Sequence, residues 1–469
     1  MSLPGLAQTP GRQETNHCAR LAAQSRLLQA LDAVEGLSAM AFITLPAPLV
    51  GRPELLLRAR GDETGVLWAP FGEEARCGIG VAHLLSARGP DRFARIQEGA
   101  QALWEKLALV PSPGLEAKLP RLLGGFAFQP GSAGATPWAG FGDAKFVLPR
   151  WTYGCEQDQA WLGLALSGEE IGREGQRPRL MTELGEILDA LCSPWLPHPD
   201  PAPPVRAILQ ISREDWRSRL QTIRAAIQEG RAEKIVAARL ARVDLHGPLD
   251  ELAVLARLGA EASVTRFAFC FGGATFLGAS PERLVGKIGE RVRTEALAGT
   301  IARGNEQRLL GSQKDRLEQG LVVTQILECL APFCKVLDHT EKPTICSLTH
   351  VLHLRTPIEG RLKGSCHVLA LVEALHPTPA VAGVPTPTAL SWIADQEGDP
   401  RGWYAGPVGW FDARGDGEFA VALRSGVLEG ASAYLYAGAG IVRDSDPDKE
   451  YEETALKQRT FLTALGVRP

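Results

Sequence analysis

The chain has 469 residues, 22% of them charged and 45% hydrophobic, with a formal charge of -4. At roughly 150 residues per domain that length admits two to four domains or one large α+β unit, and a near-neutral balance without a Lys/Arg-rich block argues against a nucleic-acid partner or a membrane surface. Nine cysteines without a Cys-x-x-Cys pair point to reduced thiols, and the proline-broken run "LSAMAFITLPAPLVG" falls short of the ~20 apolar residues that cross a bilayer, so a cytoplasmic protein without an anchor is expected.

Residues 92–109, "RFARIQEGAQALWEKLAL", have helical spacing, and "AWLGLAL" at 160–166 alternates as a strand does. Residues 192–205, "CSPWLPHPDPAPPV", hold six prolines, which fix φ and remove backbone donors. They predict a linker, set at 196–206, between an N-terminal α+β region at 1–195 and a catalytic region at 207–469. "SREDWRSRLQTIRAAIQEG" opens at Ser212, carries Glu214 and Asp215 in its first turn and closes on Gly230, which predicts a capped helix. "EKIVAARLARVDL" then reads as a strand. Its Lys234 is either a strand-end lysine reaching water or, on the inward face, a desolvated amine able to act as a base.

Two glutamates stand among residues that otherwise read as core: Glu282 in "SPERLV" and Glu295 in "TEALAGT". A buried carboxylate needs a cation, a proton or a substrate to face. In "SQKDRLEQGLVVTQILECL", Asp315 and Glu318 share one helical face near its start. In "SDPDKEYEETALKQRTFL", Asp446 is a plausible cap, Pro447 lies in the first turn, and Glu450, Glu453 and Lys457 share a face. Alone, each is a solvated helix start matched to the helix dipole; together they can bring carboxylates around a hard cation such as Mg²⁺, which takes oxygen ligands and keeps waters. Asp444, Asp446 and Asp448 begin like a calcium loop, but Lys449 and Ala455 occupy the positions that require glycine and glutamate. Cys346, His350 and His353 supply only three soft ligands on an alternating strand, too few for zinc.

"YLYAGAGIV" ends a strand-like run in Gly438 and Gly440, which form either a tight turn or an amide site for an anion. Arg424, in "VALRSG", suits a bidentate carboxylate, and Tyr404, in "RGWYAGPVGW", offers a phenolic donor. Collected, these features describe a site for a small dianion.

In their order and content "KIVAAR", "SPERLV", "TEALAGT", "SQKDRLEQ", "LHPTPAVAG", "RGWYAGPVGW", "LRSG" and "YAGAGIVRDSDPDKEYEET" resemble the chorismate-utilising enzymes, and within them the isochorismate synthases of the menaquinone type. The match spans roughly residues 208–465. It implies one α+β unit of antiparallel sheets flanked by helices around a central cleft. It also implies that Lys234 activates water for attack at C2 of chorismate and that Glu282 protonates the departing C4 hydroxyl. Glu318 and Glu453 would hold Mg²⁺, with Glu450 and Asp315 as outer contributors. Arg424, Tyr404, Gly438, Ala439 and Gly440 would meet the enolpyruvyl carboxylate, and His353, Ala380 and Lys457 would line the substrate. The resemblance gives Glu295 no role.

Anthranilate synthases resemble this chain but carry glutamine at the place of Lys234 and use ammonia from a glutaminase, so no glutaminase partner is expected. Salicylate synthases tend to have threonine where Ala380 stands. Aminodeoxychorismate synthase is a further alternative with a lysine here, and a degenerate regulatory or binding subunit would be expected to have lost the Lys/Glu/Glu set. Whether the product feeds menaquinone, siderophore or salicylate synthesis stays open, as does the choice between monomer and homodimer.

Overall fold

Alternation decides how the Lys234–Leu245 strand sits. Ile235 and Ala237 pack in one buried cluster with Trp216, Leu220 and Ile223 of the Arg213–Gln228 helix, while Lys234 and Val236 point from the opposite face into a cavity. The helix begins where Ser212 accepts a hydrogen bond from the Asp215 N–H.

The computed structural model describes residues 10–37, 39–194, 203–259, 263–348 and 351–467. Most of the predicted linker and His350 lie outside them; of the linker's end, Val205 already begins an edge strand.

Among the described residues, thirteen strands make the first sheet. Its order runs from Val205–Gln210 through Lys234–Leu245, Ser432–Ile441, Ser425–Glu429, Ala274–Ser280 and Thr265–Phe271 to Gly65–Pro70, then Ala75–Ile79, Trp151–Glu156, Gln159–Leu166, Met40–Pro46 and Leu107–Val110. All these neighbours are antiparallel except Met40–Pro46 with Leu107–Val110. The second sheet has ten strands among the described residues and includes Val351–Leu362, Arg291–Ala302, Arg283–Ile288, Gly417–Val421, Pro407–Phe411 and Leu122–Phe126 in that order. Both sheets therefore mix early and late segments: Val66 pairs with Phe269, and Leu123 with Trp410.

Residues of the two sheets share the largest core. Val66, Trp68, Phe267 and Phe269 from the first are buried with Leu122, Phe146, Val408 and Phe419 from the second. Trp138 packs edge-on against Phe276 at 5.0 Å, and Phe141 against Trp403 at 5.3 Å, an arrangement aromatic rings favour. The far face of the first sheet is covered by the Pro10–Val34 and Gln176–Cys192 helices, whose Leu27, Leu180 and Leu184 pack with Leu67, Leu162 and Leu164.

The helix expected over 92–109 stops earlier. It runs Arg92–Trp104, and Leu107–Val110 forms the strand beside Met40–Pro46; pairing at a sheet edge overrides the local periodicity. Among the described residues no helix is long and apolar enough to cross a membrane.

Candidate active site

Lys234 opens its strand almost buried, and its Nζ donates to Glu318 Oε1 at 2.6 Å. Glu318 comes from the Gln313–Leu330 helix, which starts where Ser312 Oγ accepts the Asp315 N–H. Gln319 Nε2 then donates to Ala296 O at 2.9 Å and Thr356 Oγ1 at 3.0 Å, which ties this helix to the second sheet and turns Glu318 toward the lysine. The strand beside Lys234 contributes its shape: a Cβ on Gly440 would lie 2.5 Å from Lys234 Cε. Only a missing side chain leaves the lysine its place.

A second helix, Pro447–Ala464, begins with Asp446 Oδ1 accepting the Asp448 and Lys449 N–H groups. That cap sets the angle of the residues after it. Glu453 pairs with Lys457 at 2.8 Å, Lys457 Nζ also donates to Gly438 O at 2.8 Å, and Glu450 accepts from Ser445 Oγ.

Glu282 enters from the end of the Ala274–Ser280 strand. Ser280 Oγ accepts the Glu282 N–H and donates to Val421 O, while the Val421 N–H donates to Glu282 O. Burial, and then the charge of Glu295, push the Glu282 carboxyl up to about 8, against the opposing pull of Lys234 and Lys457. At neutral pH this side chain carries its proton.

His353 is the reverse case. Burial and the Arg424 and Lys457 charges hold it down at about 3, so the ring is neutral. Its Nδ1 lies 3.0 Å from Gly299 O, an acceptor, which assigns the proton to Nδ1. Nε2 then accepts from the Arg424 guanidinium at 3.2 Å. Arg424 itself has φ +50°, a left-handed backbone uncommon for arginine, between the Gly417–Val421 and Ser425–Glu429 strands. Tyr404 stacks on Tyr436 at 5.1 Å, and burial pushes its phenol up to about 12, so it remains a donor.

These side chains meet at a single cavity of about 190 Å³. Lys234, Glu282, Asp315, Glu318 and His353 line it, as do Ala380, Tyr404 and Arg424. Gly438, Gly440, Glu450, Glu453 and Lys457 complete the set expected from the sequence. Ala439 does not belong. The two glycines lie inside the Ser432–Ile441 strand, paired with Ala238 and Val236, not in a terminal turn. Strand alternation therefore turns Ala439 away, into the cluster under the Arg213–Gln228 helix.

Sequence reasoning also missed contributors. Leu297, Ala298, Gly299 and Thr300 of "TEALAGT" line the cavity, as does Arg401. Arg401 is buried and fully engaged: it pairs with Glu397 at 2.6 Å and donates to Val381 O and Val236 O, so it clamps the Lys234 strand to the Ala380 loop. The signal was present as a Glu/Arg pair four residues apart before "GWY".

Asp315, Glu318, Glu450 and Glu453 offer carboxylate oxygens from two helices, the donor chemistry of a hard cation. Among the described residues no three His, Cys, Asp or Glu side chains cluster as a ready metal-ligand set, and Glu318 and Glu453 each rest on a lysine.

Residues 41–466 match the family described as chorismate binding enzyme. The chain belongs to that family. Among its chorismate-binding relatives, the "Salicylate biosynthesis isochorismate synthase" of Pseudomonas aeruginosa is 40% identical over 82% of each chain. "Isochorismate synthase MenF" of Bacillus subtilis is 35% identical over 80% of each. The solved structure of MenF, the menaquinone-specific isochorismate synthase from Escherichia coli, superposes with a TM-score of 0.78 at 28% identity, covering 95% of this chain and 100% of that one. The α+β fold of antiparallel sheets is thus that of the chorismate-binding enzymes.

Proposed function

We propose that the chain is an isochorismate synthase, an isomerase that converts chorismate to isochorismate by adding water at C2 and releasing the C4 hydroxyl. The observation that carries this reading is that Lys234 and Glu282 line one cavity, the second holding its proton at neutral pH. The names of the relatives support it.

Lys234 takes a proton from water as the oxygen bonds to C2. The ring double bonds shift, the C4–O bond breaks, and Glu282 gives its proton to the leaving hydroxyl, which departs as water. Arg424, oriented by neutral His353, and the Tyr404 hydroxyl take the enolpyruvyl carboxylate. Glu318 and Glu453 would hold Mg²⁺, with Glu450 and Asp315 behind them; bound there, the ion neutralises the ring carboxylate. A lysine at 234, rather than the glutamine of anthranilate-type enzymes, favours water as nucleophile and dispenses with a glutaminase partner. We place the enzyme in the cytoplasm.

Purified protein should turn chorismate into isochorismate alone, lose turnover in EDTA and regain it with Mg²⁺. The Pseudomonas relative is named for salicylate biosynthesis, so products are separated: stoichiometric salicylate and pyruvate would make the chain a salicylate synthase, and no turnover under any condition a binding or regulatory subunit. Full activity in EDTA would remove the metal from the scheme.

A further inference from the structure

Glu295 has no place in the chemistry above, yet it is buried and charged next to the proton donor. It lies on the Arg291–Ala302 strand, antiparallel to both Arg283–Ile288 and Val351–Leu362. One carboxylate oxygen accepts the Arg283 N–H at 3.1 Å, and the other accepts Arg355 Nε at 2.5 Å. Arg283 is the residue directly after Glu282, and its own side chain runs away from the cavity to Glu418 and Glu73. Glu295 therefore grips the main chain at the point from which Glu282 projects, and Arg355 holds the Glu295 carboxylate in place.

We propose that Glu295 is a positioning residue for Glu282: it fixes the backbone beside the proton donor and sets a like charge against it, so that Glu282 enters each turnover as an acid. The inference rests on the isochorismate synthase reading. The other charges that face Glu282 are Lys234 and Lys457, which act in the opposite sense and are themselves engaged by Glu318 and Glu453. Burial is the larger push on the donor, and the nearby like charge adds to it against both cations.

Glu295→Gln keeps an acceptor for the Arg283 N–H and removes the charge. The basic limb of its kcat profile should move down by about one pH unit, with kcat returning toward the parent value in acid and KM for chorismate unchanged. A protonated-carboxyl infrared band, seen in the parent at neutral pH and absent from Glu282→Gln, should fall to roughly half its strength in Glu295→Gln, because a drop of about one unit brings the carboxyl's titration to neutrality. An unmoved limb with the band at full strength, or a loss of kcat that acid does not restore, overturns the proposal. Because the substitution bares the Arg355 cation, Glu295→Gln/Arg355→Gln is measured beside it. The double variant should keep the shifted limb, and a return to the parent profile would assign the effect to Arg355 and sink the idea. If the parent makes no isochorismate, the functional reading fails by itself, and the infrared comparison still decides the role of Glu295.

Discussion

Glu282 keeps its proton to about 8 in the fold, whereas the ordinary value for a glutamate is 4.5. Between those values the unfolded chain has released a proton that the native state still binds, so the stability contributed by this group falls as pH rises through the interval. Glu282→Gln has no proton to lose. It should be more heat-stable than the parent at pH near 8 and no different near 4, in thermal scans at both values, while its turnover drops by a factor of about 10² to 10⁴. An equal gap at both pH values would show that the side chain's charge is not what strains the fold. Gly440 makes a complementary case. Gly440→Ala places a methyl on Lys234 Cε, and the flexible end of the lysine yields before the strand does. Turnover should collapse with the melting temperature nearly unchanged; retention of parental kcat would show that Lys234 has room to spare.

At the scale of elements, two helix starts aim the acidic side chains. Asp446→Ala removes the acceptor for two N–H groups, and a lost N-cap costs about 1 kcal/mol. Chemical denaturation should show that loss, and under the proposed Mg²⁺ scheme activity assays should show weaker activation by the ion, since Glu450 and Glu453 lie in the first two turns; unchanged stability would mean the helix is held by its packed face alone. Asp446, Pro447 and the shared face of Glu450, Glu453 and Lys457 were legible in the sequence because caps and helical faces are local. What depended on distant partners was not. The strand at Leu107–Val110 needs Met40–Pro46, the orientation of Ala439 needs the register with Ala237, and the task of Glu295 needs Arg355, sixty residues further on. "TEALAGT" announced a buried carboxylate without saying what held it.

Over the whole molecule, neither half owns a sheet. Residues 207–469 alone would leave Thr265–Phe271 without Gly65–Pro70 and Pro407–Phe411 without Leu122–Phe126, and would strip Trp138 and Phe141 from Phe276 and Trp403. We expect that fragment to aggregate or to bind hydrophobic dyes without a cooperative melt, because it bares sheet edges and an aromatic core face. A soluble fragment that turns over chorismate would reveal a self-sufficient catalytic unit. The strand order also sets a clock. The Lys234 strand finds its inner neighbour only in Ser432–Ile441, close to the end of the chain, so a nascent polypeptide on the ribosome carries Lys234 for some two hundred residues of synthesis before the wall behind it arrives. On the proposed scheme catalysis is therefore withheld until translation is almost finished, and a truncated product would be silent even with Lys234, Glu282 and the first acidic helix in hand.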